Sequence, residues 1–280
     1  MKPFTPLLAI TAALSWHAAP PALDAQSRRG GPPPSARAAA PIDLTGYWTA
    51  VITEDYHLRM FTAAKGERMH IPYNSEGAQE AMKWDPAKDQ AEGNPCKAFG
   101  APGIMRQPTN LHITWQDENT LKVEADFGMQ TRLFHFAPPP QPGQVWFLSG
   151  AYRPAQAPKV EPPPGLEPGL QGYSIASFWN TLGGDNPQEG AQNAEKSGEL
   201  KVATTHLKPG YYWRNGVPYS AGAVLTEHFR VIDLPDRSVW LSVVQIVEDP
   251  KFLTQPFVVN YQFKKLPDGS KWKPIPCSVK

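Results

Sequence analysis

Between Gly46 and Leu266 the chain alternates apolar and polar residues in short runs separated by turns, the period-2 signature of half-buried strands. TLKVEADF is the clearest run: Leu121, Val123, Ala125 and Phe127 oppose Lys122, Glu124 and Asp126. GYWTAVITED sets Trp48, Ala50, Ile52 and Glu54 on one face, and NLHITWQ sets Leu111, Ile113 and Trp115 together. MQTRLFHF follows TLKVEADF across Gly128 as a hairpin partner. QVWFLSG, LQGYSIASFW, ELKVATTHL, AVLTEHFRVID, VWLSVVQIVED and FVVNYQFKKL complete about ten strands. DENT, LPDRS and LPDG supply turns of the expected composition.

Helix is scarce. Asn74–Trp84 and Pro86–Glu92 read as short helices, the second with Asp85 as N-cap and Pro86 in its first turn. Both lie in a long insertion after the first strand. A second insertion, Pro154–Gly169, is proline-rich and reads as extended and exposed. So many sequential strands must hide their edges by closing or by stacking. The expected fold is an all-β, antiparallel, calycin-like barrel of about ten strands with short helices in one insertion. A two-sheet sandwich is the alternative.

Within AVLTEHFRVID, Leu225, Glu227, Phe229 and Val231 share a face, so a glutamate interrupts an apolar row. A buried carboxylate needs a partner or a proton. Arg132 shares a face with Phe134 and Phe136, which makes it the candidate partner. His135 lies on the other face of the same strand with Thr131 and Leu133, and is the histidine singled out as a proton shuttle. Glu54 and Glu248 end rows at strand ends, where an exposed rim position is expected. Tyr211, Tyr212 and Trp213 follow Pro209–Gly210 at a turn, where they either stack on a flat ligand or cap the barrel.

The N-terminus changes the setting. Lys2 precedes an apolar stretch too short to span a bilayer, and ALDAQ offers cleavage after Ala25. Residues 1–25 therefore read as a signal peptide, with a retained anchor as the rival reading. Residues 26–41 read as a disordered linker, and 42–280 as a single barrel domain, periplasmic or secreted. Cys96 and Cys277 are the only cysteines, and in an exported chain an even pair most simply forms a disulfide.

The chain carries a net charge of +1 with no basic stripe, which excludes a nucleic-acid footprint. There is no phosphate loop, nucleophile elbow, H-E-x-x-H or C-x-x-C, and no cofactor is expected. His57 and Met60, with Met69–His70, gather soft ligands at spacings that match no established site, so no metal is assigned.

Gly46 and Trp48 in LTGYW resemble the G-x-W opening of the lipocalin superfamily. That resemblance implies a barrel whose closed end is plugged by Trp48. The blocks WQDENTLKVEADFGMQTRLFHF, LKVATTHLKPGYYWRNGVPYS and VEDPKFLTQPF are similar to blocks of an uncharacterised family of exported bacterial proteins, which brings no activity with it.

Two functions follow. In the first, the lumen holds a small apolar or aromatic molecule, with Arg132 and Glu227 as polar anchor and Trp48, Glu54, Tyr211, Tyr212 and Trp213 as lining. In the second, a cofactor-free lyase, isomerase or hydratase uses Glu227 with His135, and Arg132 stabilises negative charge. A third reading treats the insertions as a docking surface for another envelope protein.

Overall fold

The computed structural model describes residues 35–52, 56–136, 161–179 and 198–279. Its strands are β1 (Gly46–Val51), β2 (Asn110–Asp117), β3 (Thr120–Ala125), β4 (Phe127–Gly128), β5 (Gln130–Phe136), β6 (Tyr173–Trp179) and β7 (Glu199–Thr205). Then come β8 (Gly210–Trp213), β9 (Val217–Tyr219), β10 (Val224–Asp233), β11 (Val239–Glu248), β12 (Phe257–Leu266) and β13 (Ile275–Pro276). Nine of them close into a barrel in the order β1-β12-β11-β10-β7-β6-β5-β3-β2. β8 pairs with β9 and β4 with β13 outside it.

The barrel departs from the expectation in two ways. It has nine strands rather than about ten, and it is mixed rather than wholly antiparallel. β5 and β6 run parallel, through the pairs Phe134–Ser174, His135–Ile175 and Phe136–Ala176. A parallel neighbour requires the chain to travel back along the barrel between the two strands, and the long connection between Phe136 and Tyr173 provides that length. The expected strand QVWFLSG falls in this connection, outside the described residues, as do residues 154–160 of the proline-rich insertion.

Alternation fills the interior. Trp48, Leu111, Ile113, Leu121, Val123, Phe134, Leu200, Val202, Phe229, Leu241, Val243 and Phe263 are buried in one apolar cluster. On β11 the inward row is Leu241, Val243, Gln245 and Val247, while Trp240, Ser242, Val244, Ile246 and Glu248 are only partly buried. The row that carries Glu248 is thus the outer one.

The end of the barrel at which β1 stops is capped. The β8–β9 hairpin packs Tyr212, Trp213, Val217 and Tyr219 onto Leu225, Val247 and Phe257. The insertion between β1 and β2 adds α2 (Tyr56–Met60), α3 (Ser75–Ala81), α4 (Pro86–Ala91), a 3-10 turn (Lys97–Phe99) and α5 (Ala101–Ile104), after α1 (Ala36–Ala39) near the start. Asp85 caps α4 by accepting from the Ala87 and Lys88 amides. Two glycines let the cap seat. Gly128, at φ +96°, turns the chain into β5 where a Cβ would collide with the Phe99 ring. Gly216, at φ +83°, turns the β8–β9 hairpin against Trp84.

The chain ends are tied to this frame. Cys96 and Cys277 stand at disulfide distance with Cα atoms 5.2 Å apart, which pins the C-terminal tail to the insertion. α1, expected to belong to the linker, is one helical turn held on the β2–β3 turn. The Ser35 hydroxyl donates to Glu118 at 2.7 Å, and the Ala36 amide donates to the Asn119 side chain at 2.9 Å. Those local acceptors explain why an otherwise featureless Ala/Pro stretch is ordered there. No helix among the described residues is long and apolar enough to cross a membrane.

Candidate functional site: a buried polar layer in the lumen

Between the apolar core and the cap lies a layer of buried polar side chains. Period-2 geometry places it there: β5 turns Arg132 inward, β10 Glu227, β11 Gln245, β7 Thr204 and β6 Ser174. Arg132 is 2% exposed and Glu227 0%. The Arg132 guanidinium donates to both carboxylate oxygens, at 2.9 Å from Nη1 and 2.5 Å from Nη2. Nη2 also reaches the Thr204 hydroxyl at 3.3 Å, and Thr204 shares a 2.7 Å hydrogen bond with Ser174. Gln245 lies opposite Glu227 in the β10–β11 register and donates its amide to Oε1 at 2.8 Å. Two strands, β6 and β7, stand between β5 and β10, so the pair bridges non-neighbouring staves of the barrel.

The layer extends toward the cap. Arg59, from α2, lies over the ring of Tyr261 at 5.2 Å and donates Nε to the Arg106 carbonyl at 3.0 Å. Arg106 lies 4.2 Å from the Trp213 ring centre. Within the layer, the Nε of Arg132 and the Oε1 of Gln245 are buried and have no hydrogen-bond partner among the described residues. Buried polar atoms are nearly always paired, because an unmet one costs about 1–3 kcal/mol. One is a donor and the other an acceptor, so a group that both accepts and donates suits them.

The remaining candidates are distributed as follows. His135 lies on the outer face of β5, stacked on Tyr173 at 5.1 Å, so the structure does not bring it together with Arg132 and Glu227. Burial pulls its imidazole below the usual range, against a smaller opposing pull from Asp117. Trp48 is fully buried, donating Nε1 to the Leu44 carbonyl at 2.9 Å beneath the Lys265 ammonium. Tyr212 and Trp213 are buried in the cap. Tyr211 is outside the lumen, its hydroxyl donating to Asp89 at 2.8 Å, and burial with that bond pushes its phenol up. Glu54 lies outside the described residues. His57, Met60, Met69 and His70 are exposed, and no group of three or more metal-ligating His, Cys, Asp or Glu occurs among the described residues.

Gln245, Thr204 and Ser174 were missed by sequence reasoning. Gln245 was findable: it interrupts the Leu241–Val243–Val247 row as Glu227 interrupts its own. β11 is apolar on both faces, so alternation alone admits the Trp240–Ile246 row, which ends at Glu248, as the inner one and hides Gln245.

Glu227 meets three donors with its two oxygens. That geometry holds strands together and presents hydrogen-bonding atoms to the lumen; a proton-transfer role would require Glu227 to release Arg132 and Gln245 first. The chain matches no protein-family model, no curated protein and no solved structure.

Proposed function

We propose that this is an exported barrel that binds a small molecule in its lumen, with an apolar or aromatic body and one neutral hydroxyl or amide group. The observation that carries the reading is the pair of unpartnered atoms in the polar layer, the Arg132 Nε donor and the Gln245 Oε1 acceptor, on two side chains that both bond Glu227. A hydroxyl or an amide satisfies both at once. Neutrality follows from charge: Glu227 already balances Arg132, so a second anion there would be uncompensated. Phe134, Phe229, Val243 and Tyr261 supply the apolar surroundings. The apparent signal segment and the cysteine pair support a periplasmic or secreted setting.

The test is a calorimetric panel of neutral aromatic and aliphatic alcohols and amides, beside the matching hydrocarbons and carboxylates. Binding of an alcohol or amide that weakens about tenfold or more in Gln245→Leu supports the reading, since a lost buried hydrogen bond is worth about 1–3 kcal/mol. Equal affinity for the hydrocarbon, or equal affinity in the variant, overturns it.

A further inference from the structure

The staves of the barrel are not joined equally. β5 and β6 share three register pairs, all within Phe134–Phe136. Every other pair of neighbouring staves shares at least four. Pairing stops on the cap side because Gly172, at φ +61°, turns the chain just before β6, where a Cβ would collide with the Thr205 carbonyl. Gln130, Thr131, Arg132 and Leu133 are therefore left without a strand on that flank among the described residues.

Two side-chain amides close the gap. Gln171 donates Nε2 to the Gln130 side-chain oxygen at 3.0 Å and to the Phe99 carbonyl at 2.7 Å. Gln130 in turn donates to the Gly128 carbonyl at 2.7 Å. Gln130 stands two residues before Arg132 on the inner row of β5, about 7 Å along the strand, so the closure abuts the polar layer. Gln171 Oε1 is buried with no hydrogen-bond partner among the described residues, as is the Arg132 Nε. Along the barrel axis, rings bound the layer on both sides. Tyr212, Trp213 and Tyr219 lie in the cap, and the Phe134 and Phe229 rings, fully buried with centres 5.5 Å apart, lie on the other side.

We infer that this seam is a side entrance to the polar layer, latched by Gln130 and Gln171, for a neutral molecule bearing a hydroxyl or an amide. The identity of the entrant rests on the lumen reading. Parting the barrel at any other joint breaks a longer backbone ladder. Parting it here breaks two bonds from one side chain and leaves the three β5–β6 pairs in place. A passing hydroxyl or amide replaces the broken bonds in turn, from Gln171 Oε1 to Gln130 and on to the Arg132 Nε, whereas a charged head meets no counter-charge in the latch.

The test is NMR measurement of Arg132 Nε–H exchange with water in the full disulfide-linked protein. The reference is Trp48 Nε1–H, which is buried elsewhere in the barrel and bonded to the Leu44 carbonyl. Gln171→Ala should speed Arg132 exchange about tenfold, the scale of one or two lost hydrogen bonds, and leave Trp48 unchanged. Gln130→Leu keeps the strand and removes the acceptor of the latch; it gives the same result and decides the matter should the alanine variant fail to fold. With benzyl alcohol as probe, Gln171→Ala should raise association and dissociation rates together and leave affinity unchanged. Unchanged Arg132 exchange, equal acceleration of both signals, or weaker binding at an unchanged association rate overturns the entrance. A wild-type protein that takes up none of the alcohols or amides overturns the lumen reading alone, with the entrance still decided by exchange.

Discussion

Arg132 and Glu227 face each other across the lumen in a two-bond fork, 2.9 and 2.5 Å, although β6 and β7 separate their strands. The pair therefore ties β5 to β10 past the barrel's one parallel seam, where β5 and β6 share only three register pairs. It also commits both terminal guanidinium nitrogens to Glu227 and leaves Nε as the buried donor without a partner among the described residues.

That position sets the first prediction. Breaking the pair by Arg132→Met or Glu227→Leu alone leaves an unpaired buried charge and destabilises by about 3–5 kcal/mol. The double variant Arg132→Met/Glu227→Leu removes both charges and recovers most of that loss. Urea unfolding of the three variants is the measurement. A double variant as unstable as the sum of the singles would mean the two side chains act separately.

On the outer face, Glu199 is nearly buried and accepts from His228 at 2.9 Å and Arg230 at 3.0 Å. Those partners, His228 foremost, hold its carboxyl below the usual 4.5 against the opposing effect of burial. A carboxyl depressed in the folded state adds stability above its unfolded value, and that stability is lost as pH falls through the folded value. Stability should therefore decline below about pH 4.5, and Glu199→Gln should flatten part of the decline in acid unfolding curves. An unchanged slope would remove Glu199 from the account.

The Cys96–Cys277 link closes a loop with a sequence separation of 181 residues. In the chain-entropy model such a closure contributes about 5 kcal/mol. The Cys96→Ser/Cys277→Ser protein should unfold at clearly lower denaturant than the oxidised parent, and the tail near Ile275 should become the first site of proteolysis. Coincident unfolding curves would show that the link contributes nothing.

Much of the barrel is legible in the sequence because its strands alternate cleanly. The TLKVEADF run lies as its pattern indicates as far as Ala125, where β3 ends, while Asp126 is buried and Phe127 belongs to β4. The Leu225–Glu227–Phe229 row lies as its pattern indicates, and Arg132 is the partner of Glu227 that face-sharing suggests. The parallel seam is not legible, because alternation fixes which face a side chain takes and says nothing of strand direction. β11 misleads for a related reason: Val243 and Val244 are both apolar, so its pattern admits either inner row and Gln245 disappears into the wrong one. His135 is a different case. Its neighbour Arg132 is close in sequence, but three residues along a strand is an odd step, which puts the two side chains on opposite faces.

The most direct measurement of the central claim is native mass spectrometry of the protein purified without denaturation from an export-competent host. The account predicts a reproducible added mass of a small neutral molecule, lost on unfolding and reduced in Gln245→Leu. A clean mass on the wild-type protein, with no uptake from the alcohol and amide panel, would contradict it and leave the Arg132–Glu227 layer as a purely internal strut.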